Sequence, residues 1–246
     1  MTLPPLERYV AIDCETVRVR SGQVLAKAWE VDELDGDPTS SPRQFPPYSS
    51  VWWSPSLTPL CRVGIVDHAG TVLLESFVFV HPLNIVDWLT GSTYPRPCSR
   101  VDDKVLTSGL VTGIRPGDLD GAPTFETIQP KIKALLKGKI VVGHALWNDL
   151  AIVKHRHPYE DMRDTSLYHP LRRLVSVERE GDQPSLKRVT KAVLGKDVQE
   201  GYHCPVEDAR STMAVFMHVR EQYELDLLQG KECVAGLPRS FAQWYW

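Results

Sequence analysis

The order of the apolar segments constrains the fold of this chain more than any other sequence feature. Residues 9–13 form a short run of β-favouring residues, and residues 61–66 and 71–80 form two more, separated by a turn. Such neighbouring runs predict antiparallel strands joined by hairpins. Further along, helical patterns alternate with an apolar strand at residues 139–144. This order predicts an α/β fold, with a mixed sheet and helices packed on its faces.

Helices are expected in the second half of the chain, where apolar residues recur at helical spacing. Their predicted ranges are residues 124–136, 146–155, 185–194 and 205–223. Pro130 falls early enough in the first of these helices to be tolerated. Pro205 suits the first turn of the last helix, because its fixed φ angle is already helical there.

Two segments break this regular pattern. Residues 20–59 contain clusters of Gly, Pro and Ser, which predict a long loop or insertion, and the apolar patch at residues 51–53 could cover a neighbouring surface or bind a protein. The end of the chain, residues 241–246, is too aromatic for a solvated tail. We therefore expect a single domain over residues 1–225 with an insertion at about 21–59, and a tail at 226–246 that packs on the domain or on a partner.

Length and composition set further limits. The chain of 246 residues is long enough for one well-packed domain, and no run approaches the ~20 apolar residues that span a bilayer. The first eight residues lack the pattern of a signal peptide. The five cysteines include no CxxC pair, so neither a zinc ribbon nor a disulfide framework is predicted. These features predict an intracellular protein, either nuclear or nucleolar or cytoplasmic.

Charge is unevenly distributed, although the net charge is only −3. Residues 1–120 carry 10 Lys and Arg against 15 Asp and Glu, whereas residues 131–191 carry 13 against 7. A dedicated nucleic-acid coat protein would normally be basic. A local basic face still suits a polyanionic substrate. On charge alone, a solvated surface without a partner explains the same pattern equally well.

Acidic residues stand at the ends of two predicted strands. Asp13 and Glu15 close the first strand, and their carboxylates converge because residues i and i+2 share a face. Adjacent carboxylates repel each other unless a cation lies between them, and oxygen ligands suit Mg²⁺ or Mn²⁺. Asp149 follows the strand at residues 139–144, at the edge where open α/β sheets bind ligands. Taken singly, these acids are equally typical of solvated strand ends and helix N-termini.

A histidine and a third acidic position accompany the last predicted helix. His203 lies on the loop before this helix, and Asp208 lies one turn inside it. An imidazole beside a carboxylate-rich metal site is suited to accept a proton from an attacking water, because its pKa is about 6.5. A lone loop histidine is more often simply solvated, so the inference depends on the arrangement of all these residues.

Together, the acidic residues and the histidine resemble the DEDDh exonuclease superfamily. Its members carry a DxE motif on the first strand, a middle Asp after a strand, and an H-x4-D motif on a late helix, in this order. The matching residues are Asp13, Glu15, Asp149, His203 and Asp208. The similarity is greatest to the branch of RNA exonuclease 4 and the interferon-stimulated exonucleases. The stretches that carry it are residues 9–15, 62–66, 112–116, 142–149, 163–165, 184–187 and 206–210.

The resemblance implies a fold, a reaction and cofactors. The fold is RNase H-like, with three antiparallel strands followed by parallel strands in a mixed five-stranded sheet. The reaction is 3′→5′ hydrolysis of single-stranded RNA to nucleoside 5′-monophosphates with two Mg²⁺ or Mn²⁺ ions. By resemblance, Asp13, Glu15 and Asp208 hold one ion, Asp13 and Asp149 hold the other, and His203 is the general base.

The resemblance also implies contacts with the substrate strand. In the family the residues directly after the DxE motif contact the terminal nucleotide, which here means Thr16 and Val17, although relatives usually have Met at the first position. Trp147, next to Asn148, stands where relatives usually have His. It either stacks on a base, which would contribute ~1–3 kcal/mol, or packs into the sheet.

Basic and hydrogen-bonding residues around these motifs have more than one interpretation. Lys187, Arg188 and Lys191 either contact phosphates or form a solvated helix face. His144 and the pair at residues 164–165 match family positions and are expected to form hydrogen bonds near the site rather than to take part in the chemistry.

Three other functions are compatible with parts of this pattern. The first is a DNA or dual RNA and DNA 3′→5′ exonuclease, since the metal chemistry does not distinguish the sugars. The second is an inactive nucleic-acid-binding scaffold, which the presence of all five motif residues disfavours. The third is an assembly module that binds a protein through residues 21–59, a segment absent from the family pattern, or through the aromatic tail. Oligomeric state is left open.

Overall fold

The computed structural model describes residues 2–19, 59–82, 85–87, 112–115, 117–177, 179 and 181–236. The predicted insertion at residues 21–59, except for its last residue, and the aromatic residues 241–246 lie outside the described part of the chain. The proposed roles of those two segments in covering the site or binding a partner are therefore still predictions.

A mixed five-stranded sheet forms the centre of the fold, in the order β4-β3-β1-β6-β7. Strand β1 pairs antiparallel with β3 and parallel with β6, while β3 pairs antiparallel with β4, and β6 pairs parallel with β7. A separate two-stranded sheet joins β2 to β5. The strands are β1 (Tyr9–Thr16), β2 (Arg18–Val19), β3 (Leu60–Asp67), β4 (Val72–Phe77), β5 (Ile85–Asp87), β6 (Ile140–Gly143) and β7 (Met162–Asp164). The predicted RNase H-like α/β fold with a mixed five-stranded sheet is confirmed.

The predicted helices are present, and a further short helix follows β7. The helices are α1 (Phe125–Leu136), α2 (Leu146–Ile152), α3 (His169–Leu174), α4 (Leu186–Leu194) and α5 (Pro205–Leu228). The prediction for α2 was too long, because Lys154 has a left-handed backbone (φ 50) that ends the helix. The prediction for α5 was too short. The helix continues past residue 223, where the buried side chains of Glu224 and Asp226 accept hydrogen bonds from Arg163 and Tyr168.

The predicted strand at residues 71–80 was also too long. Strand β4 ends at Phe77. The chain then leaves the ladder with β3, because the N–H of Phe79 donates to the carbonyl of Pro123 instead. Val78 is buried all the same, which explains why the apolar run continues past the end of the strand.

Alternate residues of β1 fill the two cores on either side of the sheet. Val10 and Ile12 pack in a first core with α1 and α2, whereas Tyr9 and Ala11 pack in a second core with α5. Asp13 continues the series on the α5 side. The strand therefore directs its C-terminal acids toward α5 by the same alternation that builds the cores.

An ion pair buried in the second core joins α5 to two strands of the sheet. The guanidinium of Arg163, on β7, donates to both oxygens of Glu224 at 2.7 and 2.8 Å. The hydroxyl of Tyr9, on β1, donates to the same carboxylate at 2.9 Å. Because both charges are paired and further hydrogen-bonded, this contact fixes the helix against the sheet, although replacing one partner would leave a buried charge.

Glycine at position 64 sets how closely α5 approaches the sheet. A Cβ on Gly64 would lie 2.6 Å from the carbonyl carbon of Pro205 and from the nitrogen of Val206. These are backbone atoms and cannot rotate away. Gly64 also pairs in register with Asp13. The first turn of α5 therefore rests directly on the sheet, beside the acidic end of β1.

Within the described residues, no helix is both long and apolar enough to pass through a bilayer.

We predict that Gly64→Ala lowers the free energy of unfolding by about 1–3 kcal/mol, the usual range for an overpacked site. Urea denaturation measures this loss. Gly201→Ala is the control, because a Cβ there meets nothing within 4 Å and its φ lies outside the left-handed region. Equal stability of the two variants would contradict the close contact between β3 and α5.

Candidate active site

Asp13 and Glu15 face the N-terminal turn of α5, as the spacing of the DxE motif predicts. Glu15 is buried and Asp13 is partly buried. Asp208, in the first turn of α5, is only 3% exposed. The fold therefore brings together acidic residues that are almost two hundred positions apart in the sequence.

His203 and Asp208 form a tight cluster with Glu15. One potential ligand atom from each of the three lies within 4.8 Å of the others. Nδ1 of His203 is 3.6 Å from Oδ2 of Asp208, and Nε2 of Gln199 donates to the same oxygen at 2.9 Å. The other oxygen, Oδ1 of Asp208, is buried and has no hydrogen-bond partner among the described residues. A bare buried carboxylate oxygen is costly unless a cation approaches it.

Asp149 reaches the same region from α2, on the other face of the sheet. It is buried in the first turn of the helix, and its carboxylate accepts a hydrogen bond from the thiol of Cys14. Cys14 lies between Asp13 and Glu15 and points away from α5. Asp149 is close enough to Asp13 for the two charges to repel each other. Asp149, the middle Asp of the motif, therefore lies near Asp13 of the DxE pair.

Burial raises the pKa values of all four carboxyl groups, and repulsion from other acids of the cluster raises those of Asp13 and Glu15 further. Burial raises the pKa of Asp13 well above its usual value, and repulsion from Asp149, Glu15 and Asp208 adds to it. Burial, with repulsion from Asp208 and Asp149, raises the pKa of Glu15 to about 8, although Arg62 opposes this. Burial likewise raises the pKa values of Asp149 and Asp208. The cluster is therefore unfavourable in its charged form without a compensating positive charge.

The donor set fits a hard divalent cation. Glu15, His203 and Asp208 converge, and Asp13 lies near Asp149, Glu15 and Asp208. One buried oxygen has no partner among the described residues, and carboxylate oxygens are what Mg²⁺ and Mn²⁺ prefer. A cation there would remove the repulsion that raises the carboxyl pKa values. The residues present therefore fit the metal that the sequence motifs imply.

The start of α2, and with it Asp149, is held by Asp164 at the end of β7. The carboxylate of Asp164 accepts hydrogen bonds from the N–H groups of Ala145 and Leu146 at 3.1 and 2.8 Å. Ala145 has a left-handed backbone (φ 62), which turns the chain sharply between β6 and α2. Asp164 therefore caps the helix from a neighbouring strand.

His144 links three segments around the site. Its Nε2 donates to the carbonyl of Pro184 at 2.8 Å, since a carbonyl can only accept. Burial lowers the pKa of His144, and its Nδ1 lies within hydrogen-bonding distance, 2.8 Å, of the hydroxyl oxygen of Thr165, which itself donates to the carbonyl of Gly143. The predicted hydrogen-bonding role of His144 and of residues 164–165 matches these contacts.

The comparisons with known proteins agree with this geometry. The exonuclease family model RNase_T matches residues 89–216, which is more than half of the chain and includes Asp149, His203 and Asp208.

The chain belongs to the RNase_T exonuclease family.

This membership confirms the family that the sequence motifs predicted, and individual relatives support it. RNA exonuclease 4 of Mycosarcoma maydis is 40% identical over 67% of this chain, and the proteins of that name from Saccharomyces cerevisiae and Homo sapiens are 36% and 38% identical over 67% and 66%. This exonuclease-family chain covers only 38%, 49% and 33% of the lengths of these three relatives.

Solved structures share the fold at lower sequence identity. The Neurospora crassa Pan2 catalytic unit, which contains protease and nuclease domains, matches 93% of this chain with a TM-score of 0.56 at 18% identity. A Saccharomyces cerevisiae Pan2 module in complex with A7 RNA matches 91% with a TM-score of 0.55 at 22% identity. The chain covers 29% and 31% of those two proteins.

The side chains expected to contact the end of the substrate strand are buried, and their contacts with a nucleotide remain predictions. Thr16 and Val17 are buried, and Val17 packs in a third core with Cys61 and Ile114. Trp147 is 2% exposed and packs in the first core, so of its two interpretations the structure supports packing rather than base stacking. Asn148, in the same helical turn, is partly exposed.

The basic residues of α4 differ in their surroundings. Arg188 donates to the carbonyl of Val175, and Lys191 pairs with Asp197 at 2.6 Å. Lys187 is exposed and lies 3.3 Å from the carbonyl of Gln199, the residue that contacts Asp208. Of these three residues predicted to contact phosphates, only Lys187 contacts a residue, Gln199, that is itself hydrogen-bonded to the acidic cluster.

The sequence motifs did not indicate Gln199 or Cys14 as site residues. Gln199 has a left-handed backbone (φ 55) and reaches Asp208 from the loop before α5. A glutamine in a loop carries no pattern that predicts such a contact. Cys14 was identifiable only as the middle residue of the DxE motif, where the alternation along a strand predicts the opposite face.

We predict that the metal-free protein loses stability as the pH rises from about 5 to about 8. The raised pKa of Glu15, 4.5 in the unfolded chain and about 8 in the fold, means that the folded state binds the extra proton in this window. The free energy of unfolding therefore falls with pH, by at least the ~1.4 kcal/mol that one pKa unit represents. Thermal unfolding in EDTA at several pH values measures this.

Two comparisons make this prediction specific. Glu15→Gln should flatten the pH dependence, and Mg²⁺ or Mn²⁺ should restore stability at about pH 8. Glu207→Gln is the control, because Glu207 is the exposed neighbour of Asp208 on the same helix. Stability that rises through this window in EDTA would show that the fold does not raise the pKa of Glu15.

Proposed function

We propose that this protein is a metal-dependent 3′→5′ exoribonuclease that hydrolyses single-stranded RNA to nucleoside 5′-monophosphates. The observation that supports this most strongly is the convergence of Glu15, His203 and Asp208, with Oδ1 of Asp208 buried and lacking a partner among the described residues. Asp13 and Asp149 adjoin this cluster. Membership of the exonuclease family supports the reaction class.

The acidic residues have one shared task in this proposal, which is to hold divalent cations. Asp13, Glu15 and Asp208 would hold one Mg²⁺ or Mn²⁺ ion, and Asp13 and Asp149 would hold a second. When bound, such ions stabilise negative charge on the oxygens of a phosphodiester that undergoes in-line displacement. Gln199 orients Asp208 by donating a hydrogen bond to Oδ2. The other oxygen, Oδ1, has no hydrogen-bond partner among the described residues and would be available to a cation.

His203 is the general base of the proposed reaction. Its side chain is 32% exposed, so water can reach it, and its Nδ1 faces the carboxylate of Asp208. A carboxylate next to Nδ1 favours the tautomer with hydrogen on that atom, which leaves the lone pair on Nε2 free to accept a proton. The attacking water gives its proton to Nε2, its oxygen bonds to phosphorus, and the 3′-oxygen of the penultimate nucleotide leaves.

RNA is the proposed substrate because relatives that are 36–40% identical to this chain are named RNA exonuclease 4. Some structures with the same fold were determined in complex with RNA. The chain spans half or less of the reported relatives, so their substrates come to this chain only as a proposal. A 2′-hydroxyl contact would have to distinguish RNA from DNA.

We predict that Asp208→Asn and Glu15→Gln each abolish RNA hydrolysis while leaving the fold intact. The loss should exceed the roughly 10- to 100-fold effect of removing an outer-shell partner of a metal ligand. Glu207→Gln should retain activity, because Glu207 is an exposed acid outside the cluster. Near-normal activity of Asp208→Asn with pure Mg²⁺ would exclude the proposed metal site.

We further predict that RNA labelled at its 5′ end is shortened one nucleotide at a time, only when Mg²⁺ or Mn²⁺ is present. Matched RNA and DNA oligonucleotides should be digested side by side, and the products should be nucleoside 5′-monophosphates. If the DNA oligonucleotide were digested faster than the matched RNA, DNA and not RNA would be the preferred substrate. Internal cleavage, or release of nucleotides from the 5′ end, would contradict the proposed polarity.

A further inference from the structure

The side chains of Thr16, Val17 and Trp147, which were expected to contact the end of the substrate strand, are buried. An exonuclease must hold the end of a single strand, and aromatic side chains commonly do this by stacking on bases. None of these three side chains is exposed enough to do so. Within the described residues, a stacking contact at the acidic cluster would therefore need another aromatic side chain that is exposed.

Tyr202 is an exposed aromatic residue directly before His203. It is 45% exposed, although part of its ring is firmly packed. A Cβ on Gly113 would lie 2.5 Å from Cγ of Tyr202, so the ring lies directly on the backbone of this glycine. Gly113 has a left-handed backbone (φ 64), which other residues rarely adopt. The ring is therefore held in place by one neighbour while much of its surface is open to solvent.

The contact between Tyr202 and Gly113 is the first of a series of contacts that leads to the acidic cluster. Ile114, next to Gly113, packs with Val17 and Cys61 in the third core. The thiol of Cys61 in turn donates to the carbonyl of Glu15 at 3.1 Å. Tyr202 therefore spans from the loop that carries His203 to the segment that flanks the end of β1. These contacts connect Tyr202 to the end of β1 that carries Glu15.

The two other exposed aromatic residues of the described chain are less suited to this role. Tyr159 is 57% exposed, but it precedes β7 and so lies at the N-terminal end of the parallel strands, away from the acids. It lines an apolar groove of about 410 Å³ with Tyr223 and Leu228. Phe77 lies on β4, and the guanidinium of Arg62 covers its ring at 5.1 Å.

We propose that Tyr202, supported by Gly113, stacks on a base of the substrate strand next to the reacting phosphate. This inference rests on the proposed exonuclease function and adds a substrate-binding residue to that site. A ring held on one side and open on the other offers a flat surface that accepts any base, so the contact contributes affinity without strong sequence preference.

The test compares Tyr202→Ala, Tyr202→Phe and the control Tyr159→Ala on RNA oligonucleotides that carry one abasic nucleotide at each of the last three positions. On intact RNA, Tyr202→Ala should raise KM about 5- to 100-fold with little change in kcat, whereas Tyr202→Phe and Tyr159→Ala should behave as wild type. At one abasic position the difference between Tyr202→Ala and wild type should disappear, because the stacked base is missing. Thermal unfolding should show all variants folded.

The outcomes separate this inference from the function on which it rests. Equal loss on intact and on every abasic RNA, or a loss confined to kcat, would show that Tyr202 only supports His203 and would overturn the stacking role. Wild-type KM in Tyr202→Ala would overturn it as well. Failure of the wild-type protein to shorten RNA from its 3′ end would instead overturn the proposed function.

Discussion

The confinement of four carboxyl groups to one poorly solvated cluster is the constraint on which the rest of the structure depends. Burial raises the pKa values of Asp13, Glu15, Asp149 and Asp208, and repulsion from other acids of the cluster adds to this for Asp13 and Glu15. A chain held only by this cluster would spread the acids apart. Other contacts must therefore hold the elements in place, and the strongest of these lie outside the cluster.

Those contacts act on the two helices that bring acids to β1. Helix α5 is held by the paired charges of Arg163 and Glu224 in the second core, and Gly64 allows its first turn to rest on β3. Helix α2 is held by Asp164, which caps its first turn. One helix lies on each face of the sheet, so the carboxyl groups meet at the end of the strand between them. Removing a cluster acid relieves repulsion, whereas removing one of these supports releases a whole helix.

Sequence reasoning located the acids and the imidazole but did not anticipate the burial of the side chains expected to contact the substrate. The alternation of a strand and the position of Asp208 after Pro205 depend only on local geometry, so both could be predicted. Strand β7 and helix α3 are too short to show a period, and only the motif match at residues 163–165 drew attention to the first of them. The burial of Val17 could not be predicted, because its neighbours in the third core, Cys61 and Ile114, are far away in the sequence.

The loop between α4 and α5 carries the predicted His203 together with two features that could not be predicted, the contact of Gln199 and the exposed ring of Tyr202. It begins after Gly195, whose left-handed backbone ends α4, and it leads into Pro205 at the first turn of α5. Between them it supplies the hydrogen bond of Gln199 to Asp208, the exposed ring of Tyr202 and the imidazole of His203. A loop fixed at both ends can change its side chains without moving the strands or helices that position the acids. The proposed contact of Tyr202 with the substrate strand could therefore be altered by substitution without disturbing the arrangement of the carboxyl groups.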